Sequence, residues 1–414
     1  MAAQSSTPGA CTASSQRPGG SNTGRSSLAM VRAAPTATSS VDWPQLKPFA
    51  GMLDVAADTV ALGGHRGMGA NVWHPSSSQP MAAPFRENTL LSFKAASESG
   101  ATFLEFDVQV CADGVPVIWH DNYVVFGDEA NPTSCRIADL TSQAFRQLAP
   151  INVSRATAAA DTGVLLGGSP TSSSASLASL ESFACSTASS AASAATSTTS
   201  SGTTRLLRKH RNDTPAEPHE PTLRSWQCEQ EDHFPTLAEV FAGIPPSVAF
   251  DLEIKMAVPD DVVVTPAHEV DRMVSATLAA VDAGLAAHGP RTIMFSSFDP
   301  EVCLEVKRRR PGAVVMFLSG GGQYSHVDLR RTSIAAAVAF ASGAALQGVI
   351  LNTRALQLEA HMVEEARSRG LRVMTYGQPN DNPEWVRYQH FLGVQGVIVD
   401  DVAGVASALA TALG

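Results

Sequence analysis

Ala249-Phe-Asp-Leu-Glu-Ile-Lys255 is a strand with two unlike faces. Side chains alternate across a strand, so Phe250, Leu252 and Ile254 share one face while Asp251, Glu253 and Lys255 share the other. The same alternation runs through Glu105-Phe-Asp-Val-Gln109, where Glu105, Asp107 and Gln109 lie together and Phe106 and Val108 point away. Alternation alone fits an antiparallel sheet with one solvated face. What lies around these two strands argues against that. Further β-rich runs stand at Val60 to Gly64, Thr292 to Ser296, Ala313 to Leu318, Gln347 to Leu351, Leu371 to Thr375 and Gly396 to Asp400. Amphipathic stretches separate most of them, at Leu90 to Ser99, Asp271 to His288, Pro300 to Arg309 and Leu356 to Arg369, with Gly100, Gly312 and Gly370 as helix stops. Helices between strands cover the outer face of the sheet. Eight such units predict a closed parallel (β/α)8 TIM barrel with its site at the carboxyl ends of the strands. Charged side chains turned into its mouth are costly there unless they bind something.

Leu62-Gly-Gly-His-Arg-Gly67 ends the first of these strands. His65 offers an acid/base group, Arg66 a phosphate fork, and Gly67 room for backbone to approach a ligand. Read alone, the tripeptide is a loop histidine beside a surface arginine. A second histidine returns to the same place: Ala112-Asp-Gly114 is a turn signal, and folding the chain there sets His120 roughly opposite Glu105. Asp121 either orients the His120 ring or ends the strand. Two histidines, an arginine and strand carboxylates together suit metal-assisted chemistry on a phosphate ester.

The chain has 414 residues, 44% of them hydrophobic, enough for a large core. Its net charge of −10 argues against a nucleic-acid or anionic-membrane surface but not against a local cationic pocket. The six cysteines show no metal-site or disulfide spacing, so a reducing compartment is the default. No run reaches the ~18 apolar residues of a membrane span. Residues 1–41 lack Asp and Glu, carry Arg17, Arg25 and Arg32, and are rich in Ser, Ala, Thr and Gly. That composition suits either a transit peptide, which would send the chain to a plastid, or a disordered tail on a cytoplasmic protein. From Ser169 to Thr204 the chain is nearly all Ser, Thr and Ala, with Glu181 its only charge. We read 152–220 as a disordered low-complexity insertion within a barrel domain spanning 55–410. It serves as spacer or lid, with the basic cluster Arg205 to Arg211 and the run Thr214 to Pro221 as solvated shoulders.

These features, with Arg86-Glu-Asn-Thr89, Asp113-Gly-Val-Pro-Val-Ile-Trp-His-Asp121, Leu252-Glu-Ile-Lys255, Ser296-Ser-Phe298, Met374-Thr-Tyr-Gly377 and Gly396-Val-Ile-Val-Asp400, resemble the glycerophosphodiester phosphodiesterases. Their order and spacing are most like the plant type, from about Val60 to Val402. The resemblance implies a (β/α)8 barrel with an extra segment after the second histidine. It implies that Glu105, Asp107 and Glu253 hold one divalent cation, that His65 and His120 are the acid/base pair, and that Arg66 and Lys255 hold phosphate oxygens. Tyr376 stands where many relatives have Trp and still offers a substrate-facing ring. Three carboxylates without thiolate or imidazole suit a hard cation, Mg²⁺ or Ca²⁺. The implied reaction converts a small glycerophosphodiester to glycerol 3-phosphate and an alcohol such as choline or ethanolamine, with the glycerol 2-hydroxyl attacking first, in phospholipid breakdown and phosphate salvage. Other readings of the same residues are a lysophospholipase-D-like or phospholipase-C-like enzyme acting on lipids, and a catalytically silent barrel that senses a metabolite. Glu87-Asn-Thr89 also reads as a helix start, with Asn88 or Thr89 as cap.

Overall fold

The computed structural model describes residues 60–71, 83–148, 206–209, 223–226, 228–256 and 261–411. The segment 1–41 lies outside them, as does the 152–220 insertion apart from 206–209. Eight strands form the barrel: β1 (Ala61–His65), β2 (Phe103–Val110), β3 (Ala249–Ile254), β4 (Ile293–Ser297), β5 (Val314–Ser319), β6 (Gly348–Asn352), β7 (Arg372–Tyr376) and β8 (Gly396–Val399). Each pairs in parallel with the next, and β1 pairs with both β8 and β2, which closes the ring. Every expected strand is present, displaced at its ends by a few residues. The expected single helix from Leu356 to Arg369 is two, Thr353–Leu358 and Met362–Ser368. Asn352 starts the first early by accepting a hydrogen bond from the Arg354 amide, and the chain turns between Glu359 and His361.

Alternation along the strands separates two cores. Phe106, Phe250, Leu252, Phe295 and Phe317 pack outward beneath the helices. Ala61, Phe103, Ala249, Met294, Met316, Ile350 and Met374 fill the inside and form a floor. Above that floor the same strand faces turn polar, with Glu105 and Asp107 stacked over Phe103 along β2. Each fully buried Phe contributes about 1.5–3 kcal/mol. Gly63 on β1 makes room for the Phe103 ring: a Cβ there would stand 2.2 Å from Cζ. Gly63→Ala is therefore expected to destabilise the fold by roughly 1–3 kcal/mol through overpacking. Urea unfolding would detect this, and an unchanged midpoint would show that the floor has slack.

After β2 the chain turns at Gly114 and returns as Pro116–Ile118, antiparallel, with Gln109 opposite Val117. It then leaves the barrel to build a small antiparallel sheet of Val124–Asp128, Asn131–Cys135, Leu206–Lys209 and Leu223–Ser225. Trp119, Phe145, Phe234 and Leu206 form its core. The expectation that the basic cluster is a solvated shoulder of the insertion fails at Leu206–Lys209. Leu206 and Leu207 are both buried, and that burial draws the segment into a strand.

Candidate active site

The end of β1 is built on an uncommon backbone. Arg66 adopts the left-handed conformation at φ 50, which costs a non-glycine residue about 1–2 kcal/mol. Its amide thereby donates to Glu105 Oε2 at 3.1 Å, and its carbonyl accepts from the Asn88 amide at 2.9 Å. Asn88 is also left-handed, at φ 58, and its Nδ2 donates to Asp107 Oδ2 at 2.9 Å. Gly67 follows at φ 92, packed so closely on Ser92 that a Cβ would stand 2.3 Å from its Oγ. The turn holds Arg66 against the β2 carboxylates.

Glu105, Asp107 and Glu253 are buried, and one oxygen from each lies within 4.8 Å of the others. The parallel register makes this cluster by setting Asp107 beside Glu253 across β2 and β3. Lys255 Nζ lies 3.3 Å from Asp107 and 3.2 Å from Glu253, and Arg66 Nε lies 3.5 Å from Asp107. Burial works against ionised Asp107, but Lys255, His120 and Arg66 hold it far below the usual carboxylate range. Glu105 moves the other way, raised by burial and by the nearby Asp107 and Glu253. Glu253 is raised by burial, with Lys255 opposing. Asp251, below them, is pushed up to about 8 by burial and accepts from Ser296 Oγ at 2.7 Å. The cluster is short of positive charge, and its all-oxygen donor set fits a hard divalent cation held by Glu105, Asp107 and Glu253.

Each histidine has its own carboxylate. His65 Nδ1 lies 2.7 Å from Asp400 Oδ1 at the end of β8, and its Nε2 faces Glu105 at 4.0 Å. The Ala70 amide fixes the same Asp400 oxygen at 2.7 Å. His120 Nδ1 lies 2.8 Å from Asp121 Oδ1. Regular pairing stops at Ile118, and the Gln109 side-chain amide then donates to the carbonyls of Trp119 and Asp121, both at 2.9 Å, which shapes the loop carrying His120. Burial pushes the His120 ring down to about 4, helped by Arg66 and Lys255.

These groups line one pocket of about 520 Å³ at the carboxyl ends of the strands. His65, Arg66, Glu105, His120, Glu253 and Lys255 lie along it, with Asp107 beneath, and Phe298, Tyr324 and Tyr376 wall it. Phe298 and Tyr376 meet edge to face at 5.7 Å between centroids. All eight residues singled out from the sequence thus come together. Four others stand in the quoted stretches but were given no role in the site: Glu87, which Arg66 Nη1 contacts at 2.8 Å, Asn88, Asp400 and Gln109. Asp400 had a usable signal, because the last strand of a closed barrel must end beside the first.

Comparison with known proteins agrees with this geometry. The family model described as the glycerophosphoryl diester phosphodiesterase family matches residues 65–403. A chloroplastic glycerophosphodiester phosphodiesterase of Arabidopsis thaliana is 29% identical over 348 residues, covering 84% of this chain and 79% of that protein. A glycerophosphocholine phosphodiesterase of Eremothecium gossypii is 29% identical over 358 residues, 84% of this chain but only 25% of that longer protein. A crystal structure from Silicibacter pomeroyi DSS-3, assigned to the glycerophosphoryl diester phosphodiesterases, superposes with a TM-score of 0.54 at 20% identity, covering 88% of this chain and 97% of that one. With its barrel, its pocket and a match across most of its length, the chain belongs to the glycerophosphoryl diester phosphodiesterase family of phosphoric diester hydrolases.

Proposed function

We propose that the pocket hydrolyses small glycerophosphodiesters to glycerol 3-phosphate and an alcohol, with His120 and His65 as base and acid around a cation held by Glu105, Asp107 and Glu253. The observation that carries this reading is the arrangement of the two histidines. Each has Nδ1 tied to its own carboxylate, at 2.8 and 2.7 Å, and each lines the pocket that also holds the acidic cluster with Arg66 and Lys255. Binding Nδ1 fixes the tautomer and leaves Nε2 free to move a proton.

His120 suits the base. Burial and the neighbouring Arg66 and Lys255 keep it neutral near pH 7, so its Nε2 can take the proton from the attacking hydroxyl. As the glycerol 2-hydroxyl oxygen bonds to phosphorus and the P–O bond to the leaving alcohol breaks, protonated His65 gives its Nε2 proton to that alcohol oxygen. Water then opens the resulting cyclic phosphate with the two histidines in exchanged roles, which yields glycerol 3-phosphate and returns both rings to their starting protonation. Arg66 and Lys255 hold phosphate oxygens and offset the charge that grows on them. A bound Mg²⁺ or Ca²⁺ would add Lewis-acid stabilisation of the same oxygens. Phe298 and Tyr376 exclude water and offer a flat surface to the departing group. A panel of glycerophosphodiesters and lysophospholipids tests the substrate class: turnover confined to lysophospholipids would replace it with the lipase reading.

The base assignment carries a pH consequence. His120 must be unprotonated, and it becomes so above about 4. A bound cation adds positive charge and pushes in the same direction. At saturating cation, the acid limb of kcat/KM is therefore expected well below the ~6.5 of an ordinary histidine. A limb at or above that value would show that His120 is not the base.

The composition of residues 1–41 and the chloroplastic designation of the Arabidopsis relative support a plastid destination. Among the described residues no helix is long and apolar enough to cross a membrane. Fusing residues 1–41 to a fluorescent protein tests the destination, and a diffuse cytoplasmic signal would contradict it.

A further inference from the structure

We propose that Arg208, carried on the short strand Leu206–Lys209 outside the barrel, is a positioning residue for the His120–Asp121 pair. The strand is held by Val124–Asp128 on one side and Leu223–Ser225 on the other, and by burial of Leu206 in the cluster around Trp119. Alternation puts Arg208 on the same face as Leu206, and its side chain is only 15% exposed. Its guanidinium is anchored from several directions. Nη2 donates to Glu87 Oε1 at 2.7 Å, and Nη1 lies 2.7 Å from Glu87 Oε2 and donates to the Asn71 carbonyl at 3.2 Å. The ring of Trp226 lies 4.5 Å from the guanidinium carbon. These contacts occupy both Nη groups and a face, and Nε stands 3.6 Å from Asp121 Oδ2.

The geometry gives Asp121 two neighbours with different jobs. Oδ1 meets His120 Nδ1, and Oδ2 faces a cation that cannot swing away. The partner of the other histidine is secured differently, since a backbone amide holds Asp400. Among the described residues, the Asp121 carboxylate meets only His120 and Arg208, while the Gln109 amide holds the Asp121 carbonyl. His120 itself sits where regular strand pairing has ended. Gln109 holds the backbone of this loop, and the anchored guanidinium holds the Asp121 carboxylate that the backbone leaves free to turn. Arg is suited to this, because one planar fork can grip Glu87 and still present Nε to a second carboxylate. The direction of the Asp121 shift agrees: burial would raise it, and His120 and Arg208 bring it below the ordinary range. Glu87 is also shared with Arg66, so the same geometry supplies the competing route, from Arg208 through Glu87 to the phosphate fork.

The inference rests on His120 moving a proton, and the experiment separates the two. Steady-state kinetics on glycerophosphocholine would compare Arg208→Ala, Arg208→Lys, Asp121→Asn, His120→Ala and the Arg208→Ala/His120→Ala double variant, with thermal melting and cation titration confirming each fold. Arg208→Ala is expected to lower kcat about 10–100-fold, the usual cost of losing a group that orients a functional side chain, with KM nearly unchanged. Asp121→Asn should match it. Arg208→Lys should restore only part, because it keeps the charge against Glu87 without the fork. In the His120→Ala background, removing Arg208 should cost little more. A raised KM at unchanged kcat would place Arg208 on the route to Arg66 and overturn the proposal. Full additivity with His120→Ala, or wild-type kinetics, would overturn it too. High activity in His120→Ala alone would sink the reading of His120 together with this one.

Discussion

His120→Ala is expected to lower kcat/KM for glycerophosphocholine by roughly 10²–10⁴-fold, the usual contribution of a positioned acid/base group, while the fold survives. Survival follows from exposure: the ring is half-buried at the pocket wall, and its hydrogen bond is to Asp121 alone among the described residues. His65→Ala should fall by a similar factor. The double variant should be little worse than either single one, since a proton removed without one being delivered, or the reverse, stalls the same displacement. Stopped-time assays of the three proteins, with melting curves beside them, would measure this. Activity within a few-fold of wild type in either single variant would mean the pair is wrongly assigned.

The second large effect concerns the acidic cluster, and it has two opposite signs. Glu105→Gln and Glu253→Gln each remove one of the three carboxylates proposed to hold the cation, so cation binding should weaken and turnover should fall about 10²–10³-fold or more, the scale of losing one preorganised electrostatic contact. Stability without the cation should move the other way. Glu105 is held above its ordinary range by burial and by repulsion from Asp107 and Glu253. A carboxyl whose folded value is raised destabilises the fold as pH rises through the interval between its unfolded and folded values. In chelator near pH 8, Glu105→Gln should therefore melt higher than the wild type, and the advantage should shrink as pH falls. A lower melting temperature for Glu105→Gln in chelator would mean the cluster is not short of positive charge.

What could be read from the sequence divides by range. His65, Glu253 and Lys255 were legible because each sits at or beside the end of a strand, and Glu105 and Asp107, within theirs, because period-two alternation sets their direction. The barrel was legible for a related reason: eight β-rich runs separated by helical ones leave few other ways to cover both sheet faces. Asp400 was not assigned, although it was quoted, because its contact with His65 spans 335 residues and exists only once the barrel closes. Glu87 and Asn88 were set aside because the local explanation, a helix start, is also true: Thr89 does cap the helix Leu90–Glu98. Nothing local shows that Asn88 turns its side chain to Asp107 instead. Arg208 was hidden by averaging. Over a window the basic cluster beside a Ser/Thr/Ala run looks solvated, and only the alternation of Leu206 and Arg208, with a partner 121 residues earlier, makes it otherwise.

The most direct measurement is a phosphorus NMR time course of glycerophosphocholine with the purified protein, first after exhaustive chelation and then with Mg²⁺ or Ca²⁺ restored. A carboxylate cluster without its cation repels the phosphate, and Arg66 and Lys255 are already engaged with Glu87, Asp107 and Glu253. The diester resonance should therefore persist under chelation and give way to glycerol 3-phosphate once the cation returns. Undiminished conversion in chelator, or phosphocholine as the product, would contradict a cation-assisted displacement that leaves phosphate on the glycerol.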